Sequence, residues 1–195
     1  MTKLALTLKA FSVVASMSFA APLFAGPVAD QAAEIETMLA AQDFAGAGAA
    51  AGALYETVWD ASTDISFRQV VLVVEPASGF GIYNPRPDEK FKVGEPVILY
   101  AEPFGYGYGT PSEGLFSINF AVDLAVKSDT GEVLAEIPDL SVLDLQSRAK
   151  NHEFQANLTY TLNGITPGKY VLVTTMRDKN SDKTGSFETA IEIVE

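Results

Sequence analysis

His152 is the one histidine in a chain of 195 residues that contains no cysteine. Thiol nucleophiles, disulfides, zinc–thiolate sites and multi-histidine metal sites are therefore excluded. A serine nucleophile activated by a histidine base would have to use His152. That residue lies in "RAKNHEF" (148–154), which reads as a solvated turn before a strand, and no G-x-S-x-G elbow is present. Carboxylates are plentiful, 25 against 13 lysines and arginines, so a carboxylate pair of the kind that hydrolyses glycosides has the raw material. Asp123, Asp129 and Glu132, however, fall at outward or turn positions, where acids keep a sheet soluble.

Two other stretches carry residue types that bind. "DKNSDKTG" (178–185) places Asp178, Asn180 and Asp182 at the alternating positions that open a calcium loop. The glycine of the sixth position is replaced by Lys183, and the glutamate of the twelfth by Thr189. The segment reads better as a polar hairpin, and calcium is not expected to stabilise the fold. "AEPFGYGYGTPSEG" (101–114) alternates Phe104, Tyr106 and Tyr108 with Gly105, Gly107 and Gly109. If this run continues the preceding strand, all three rings share one face. They then either cover part of the fold or offer a partner a broad surface at low entropic cost. Phe104, Tyr106 and Tyr108 are the candidate partner-binding residues. "GFG" and "GYGYG" are not followed by helix signals, so they make no phosphate loop, and no residues call for a cofactor or a metal.

The elements that hold these residues follow from periodicity. "DQAAEIETMLAAQ" and "DFAGAGAAAGALYETVW" repeat apolar residues at three and four, which predicts a helical hairpin over 26–66. Its turn falls near Gln42 and Asp43, with Asp43 as N-cap. Gly46, Gly48 and Gly52 are tolerable there if a partner helix approaches closely. From residue 67 the period becomes two. Strands are predicted at 69–74, in "PVILYAEP", in "FSINFAVDLAVKS", in "VLAEI", in "DLSVLDLQSR", in "EFQANLTYTL", in "GKYVLVTTMRD" and in "GSFETAIEIVE". Phe154, Ala156, Leu158, Tyr160 and Leu162 alternate inward, as do Phe187, Ile191 and Ile193. The pattern predicts antiparallel sheets with one wet face each.

Two resemblances add to this. "LNGITPGKYVLV" resembles the strand E to strand F corner of fibronectin type III and related immunoglobulin-like domains, through Leu162, Ile165, Pro167, Gly168 and Tyr170. The likeness implies a tyrosine corner, with the Tyr170 hydroxyl bonded to backbone a few residues upstream. It implies a mostly β chain: an immunoglobulin-like antiparallel β-sandwich over 67–195, preceded by the short helical hairpin. The sandwich departs from antibody domains in lacking both cysteines and a core tryptophan. "AAQDFAGAGAAAGALYETVW" is similar to a single tetratricopeptide unit, over about one repeat. The whole chain also resembles exported bacterial proteins of uncharacterised function that carry such a sandwich.

The first residues, "MTKLALTLKAFSVVASMSFAAPLFAG", look like a secretory signal peptide over 1–25. Lys3 and Lys9 provide the basic flank, Ala10 to Ala21 a short apolar run, and Pro22 a break before small residues. Cleavage is expected after Ala25, with Ala20 as the alternative. The chain is then exported: periplasmic if the source is Gram-negative, otherwise secreted, with no membrane insertion of the mature part. A net charge of −12 repels phosphate backbones and anionic lipid heads, which argues against nucleic-acid partners. The expected function is an exported, non-catalytic interaction or binding module, not an enzyme, whose partner is a protein or envelope component. A carboxylate-dependent hydrolase and a calcium-dependent carbohydrate-binding or adhesion domain are the alternatives. The oligomeric state stays open.

Overall fold

The computed structural model describes residues 26–195; the signal peptide expected over 1–25 lies outside the described residues. The chain is mostly β, with two helices at its N-terminal end. Helix α1 (Pro27–Ala40) starts on a proline, whose missing N–H costs nothing in a first turn, and carries Asp30 near its positive end. The chain reverses through Gln42, in a left-handed conformation at φ 60°. Asp43 then caps α2 (Phe44–Asp60) by accepting the Gly46 N–H at 2.9 Å. A Cβ on Gly46 would meet the Asp43 carboxylate in its capping position, so a larger residue there would require that side chain to shift. Gly48 and Gly52 face open space, so no helix approaches them closely and the expected reason for these glycines is absent. Helix α1 buries no residue, and α2 buries only Ala47 and Trp59. The hairpin therefore stands out from the β structure and is held by the last turns of α2.

Nine strands follow: β1 (Ser66–Leu72), β2 (Lys90–Lys92), β3 (Val97–Phe104), β4 (Gly109–Ser112), β5 (Leu115–Ser128), β6 (Val133–Ser147), β7 (Ala156–Tyr160), β8 (Gly168–Asp178) and β9 (Thr184–Val194). They form a three-stranded sheet in the order β1-β3-β7. A six-stranded sheet runs β2-β9-β8-β5-β4, with β6 also paired to β5. Inward residues of both sheets meet in one core: Leu99, Ala101, Leu158 and Tyr160 from the first sheet, Phe120, Val122, Leu172 and Met176 from the second. A smaller cluster of Val73, Ala77 and Tyr100 lies on the outer side of β3. It is sealed by the loop before β2, where Asn157 holds Ala77 through both its N–H and its carbonyl. Burial and the hydrogen bond to Glu102 push the Tyr100 hydroxyl up to about 12.

The structure corrects the expected strands in three places. β2 runs parallel to β9, so the sheets are not purely antiparallel. "VLAEI" and "DLSVLDLQSR" are not two strands but one, β6, of 15 residues. The Gly-aromatic run does not extend β3, which ends at Phe104.

The expected hydroxyl-to-backbone bond is present in the turn before β8. The Tyr170 hydroxyl donates to the Thr166 carbonyl at 2.9 Å, tying the β8 entry to the loop that leaves β7. Tyr170→Phe removes that bond and leaves the ring. We expect a loss of about 1 kcal/mol, the scale of one such hydrogen bond, read as a lower urea midpoint at equal slope. An unchanged midpoint would mean that the corner contributes nothing.

Candidate functional site

The candidate partner-binding rings lie where α2 meets the sheets. The chain turns sharply at Gly105, at φ 85°, so Phe104, Tyr106 and Tyr108 do not share a strand face. Tyr106 is fully buried. Its ring stands edge-on to Trp59 and Phe120, with centroids 4.7 and 5.4 Å away. Its hydroxyl donates to the Asn151 carbonyl at 2.6 Å, and the Tyr108 hydroxyl reaches the same oxygen at 3.1 Å. The Trp59 indole N–H donates to the Tyr106 carbonyl at 2.7 Å. Phe104 lies 4.5 Å from Trp59, centroid to centroid, with the Arg68 guanidinium 5.0 Å from the Phe104 ring. Phe104 and Tyr108 are part-buried, and Tyr106 presents no surface. Burial raises the Tyr106 and Tyr108 hydroxyls well above the usual tyrosine range, so neither supplies a phenolate near neutrality.

The glycines of this loop have a steric reason. A Cβ on Gly105 would come within 2.6 Å of Ser62 Cβ, and one on Gly109 would overlap Ser117 and Asn180. The loop threads between α2, β5 and the β8–β9 turn with no room for side chains.

The other residues singled out for chemistry are also occupied. His152 is not a solvated turn residue. Its ring is wedged against Trp59 and Tyr55, at 4.4 and 5.0 Å between centroids, and its Nε2 lies 3.2 Å from Glu56 Oε1. No hydroxyl among the described residues bonds to it. Asp178, buried in the β8–β9 turn, accepts from the Gly107 N–H, the Asn180 N–H and the Ser181 hydroxyl. Those donors direct the carboxylate at its own loop. No group of three or more His, Asp or Glu able to hold a metal occurs among the described residues.

A second region was not read from the sequence as a site. Strand β6 pairs with β5 along one side and, among the described residues, with nothing along the other. It is long, and it exposes large apolar side chains: Val133 at 48%, Leu134 at 50%, Ile137 at 40% and Val142 at 53%. Val142, opposite Ala121, is on the outer face, and register explains the exposure of Ile137. Leu143 and Leu145 sit opposite Phe120 and Ile118, and face the core. Ala135 and Ile137 sit opposite Val126 and Leu124, on the same inward face, yet both are exposed. The three-stranded sheet ends before it reaches them, because β7 has only 5 residues. What remains is an open groove of about 360 Å³. Val126, Leu134 and Ile137 line one side, and Leu162, Ile165 and Tyr170 the other.

The middle of β6 is bulged. Four steps from Ser141 to Ile137 oppose two steps from Val122 to Leu124. The bulge holds Pro138 and Asp139, the latter in a left-handed conformation at φ 49°. Asp123 on β5 fixes it, accepting the Asp139 N–H at 2.8 Å and two bonds from Arg177. Arg177 also reaches Asp139 Oδ1 at 2.6 Å. Proline and a pinned bulge are devices that keep an edge from pairing indiscriminately.

The Arg177 hydrogen bond, with a smaller part from the Asp139 N–H, holds the Asp123 carboxyl below the usual aspartate range. A carboxyl depressed in the folded state stabilises the fold above its unfolded pKa of about 4. That contribution is lost as pH falls through the depressed value. Urea midpoints measured from pH 5 to pH 2 are therefore expected to fall less steeply for Asp123→Asn than for the natural chain. Identical slopes would exclude Asp123 as an acid-sensitive tie.

No family model matches the sequence, and no curated protein matches it. Among solved structures, the chain is similar to the Pseudomonas fluorescens alkylpurine DNA glycosylase AlkC bound to DNA containing an abasic site analog. The identity is 14% and the TM-score 0.35, over 73% of this chain and 33% of that one. The chain thus spans about a third of that enzyme's length. That structure is of a DNA-bound enzyme and not of an exported, non-catalytic module, a carboxylate-dependent hydrolase or a calcium-dependent adhesion domain, so it lends none of those expectations support. A likeness of this depth carries neither glycosylase chemistry nor DNA binding over to this chain.

Proposed function

We propose that residues 67–195 form an immunoglobulin-like domain that accepts an extended polypeptide strand along β6. The fold reading is supported by two packed sheets and the Tyr170–Thr166 bond. The observation that carries the function is the free edge of β6 beside the groove under Ile137. A strand laid there satisfies a row of main-chain donors and acceptors. Its alternate side chains enter the groove and cover the exposed apolar residues, which is how sheet edges recognise peptides. A second copy of this chain is a poor occupant. Every ionisable residue from Asp129 to Asp144 is acidic, so pairing β6 with itself sets carboxylates against carboxylates.

The test uses a displayed library of random dodecapeptides, panned on the protein. Binders are expected to slow amide hydrogen exchange in 133–147. Leu134→Glu combined with Ile137→Glu is expected to weaken them at least tenfold with an unchanged melting temperature, because both side chains are exposed. Binders that protect other segments and tolerate the double substitution would overturn the reading.

A further inference from the structure

The carboxylates along β6 have a definite geometry, and it constrains the side chains of an incoming strand. Glu136 lies opposite Ala125 and Asp144 opposite Asn119. Both therefore stand on the outer, wet face of the six-stranded sheet, while Leu143 and Leu145 face the core. Both are exposed. Neither forms an ion pair among the described residues, unlike Asp139, which Arg177 neutralises. No basic side chain follows Lys127 until Arg148. The edge thus presents an inner row that includes Ile137, Leu143 and Leu145, and an outer row in which the unneutralised Glu136 and Asp144 stand on either side of Val142.

We infer that β6 selects an extended segment that alternates apolar residues with lysine or arginine, with two basic residues six positions apart on one face. The inference rests on the strand-accepting reading and adds the chemistry of the ligand. The spacing comes from β5, which is regular where β6 is bulged. Ala125 and Asn119 are six residues apart on it, about 20 Å at the rise of a strand. A ligand strand on the far side of β6 spans the same distance. Six is even, so both bases fall on the same face, opposite Glu136 and Asp144. The residues between them that point the other way are apolar and cover the groove. The inward row excludes charge, since a base there would be buried against Leu143 without a partner.

The experiment uses four synthetic eleven-residue probes of alternating threonine and valine, capped at both ends. The first has lysine at the third and ninth positions, both on the threonine face. The second keeps threonine there, and the third has glutamate. The fourth has lysine at the third and eighth positions, which carries the same charge but puts one lysine on the valine face. Binding is measured at 20 mM and 500 mM salt. The first probe is expected to bind about fivefold more tightly than the second at low salt, the yield of two exposed charge pairs. The third is expected to bind at least fivefold more weakly than the second. The first probe's advantage should vanish at high salt, and in a variant carrying Glu136→Gln and Asp144→Asn. The fourth is expected to bind more weakly than the first, which separates face-matched pairing from general attraction to an acidic protein. If the first, second and fourth probes bind equally at low salt, the ligand class is overturned and strand acceptance stands. If none binds, and panned peptides also leave β6 unprotected, both readings fall.

Discussion

Trp59→Ala is expected to lower the stability of the protein by about 3–5 kcal/mol. Trp59 is fully buried and is the last large residue of α2. It packs among five other aromatic rings from three separate stretches: Tyr55, Phe104, Tyr106, Tyr108 and His152. Truncation leaves a cavity whose lining rings resist collapse, since Phe104, Tyr106, Tyr108 and His152 are held by other parts of the chain than α2. It also strands the Tyr106 carbonyl, which loses the indole donor at 2.7 Å. The check is urea unfolding followed by far-ultraviolet circular dichroism and by tyrosine fluorescence. Both signals should shift to a lower midpoint. A loss below 1 kcal/mol would mean that the helical hairpin is attached by something other than this side chain.

Tyr106→Ala is expected to cost a similar amount, about 3–5 kcal/mol, and Tyr106→Phe only about 1 kcal/mol. The difference separates the ring, packed between Trp59 and Phe120, from the hydroxyl, which donates to Asn151. Because Trp59 and Tyr106 share a cavity and a hydrogen bond, the double alanine variant should lose less than the two single losses together. If Tyr106→Ala left the melting curve unchanged while removing a partner, the ring would belong to a surface and not to the core.

The sequence was most informative where one face of an element is buried and the other is wet. The inward set of "EFQANLTYTL" could be read by alternation, and Phe154, Ala156, Leu158 and Tyr160 are buried. Asp43 could be placed as a cap because its side chain acts three residues away, on Gly46. The misreadings came from long-range causes. "VLAEIPDLSVLDLQSR" looks like two strands because Pro138 and Asp139 break the alternation. The bonds that carry the strand through the break come from Asp123 and Arg177, far away in the chain. The Gly-aromatic loop invited a strand because its period is two. What sets its path is the crowding of Ser62, Ser117 and Asn180 around the glycines. The edge groove depends on one sheet being shorter than the other, and strand length against a distant partner leaves no local mark. A local trace does exist in the acidic run without a base between Asp129 and Asp144.

The attachment of the hairpin at one end has a mechanical consequence. Helix α2 has 17 residues, about 25 Å at 1.5 Å per residue, so a tilt of about 10° at its root swings the turn at Gln42 through about 4 Å. The root is Trp59, clamped between rings. A load applied at the turn is therefore delivered as torque to the Tyr106 carbonyl and, through Gly107, to the Asp178 carboxylate. The hairpin is a lever whose fulcrum is linked through the Tyr106–Gly107 backbone to the β8–β9 turn.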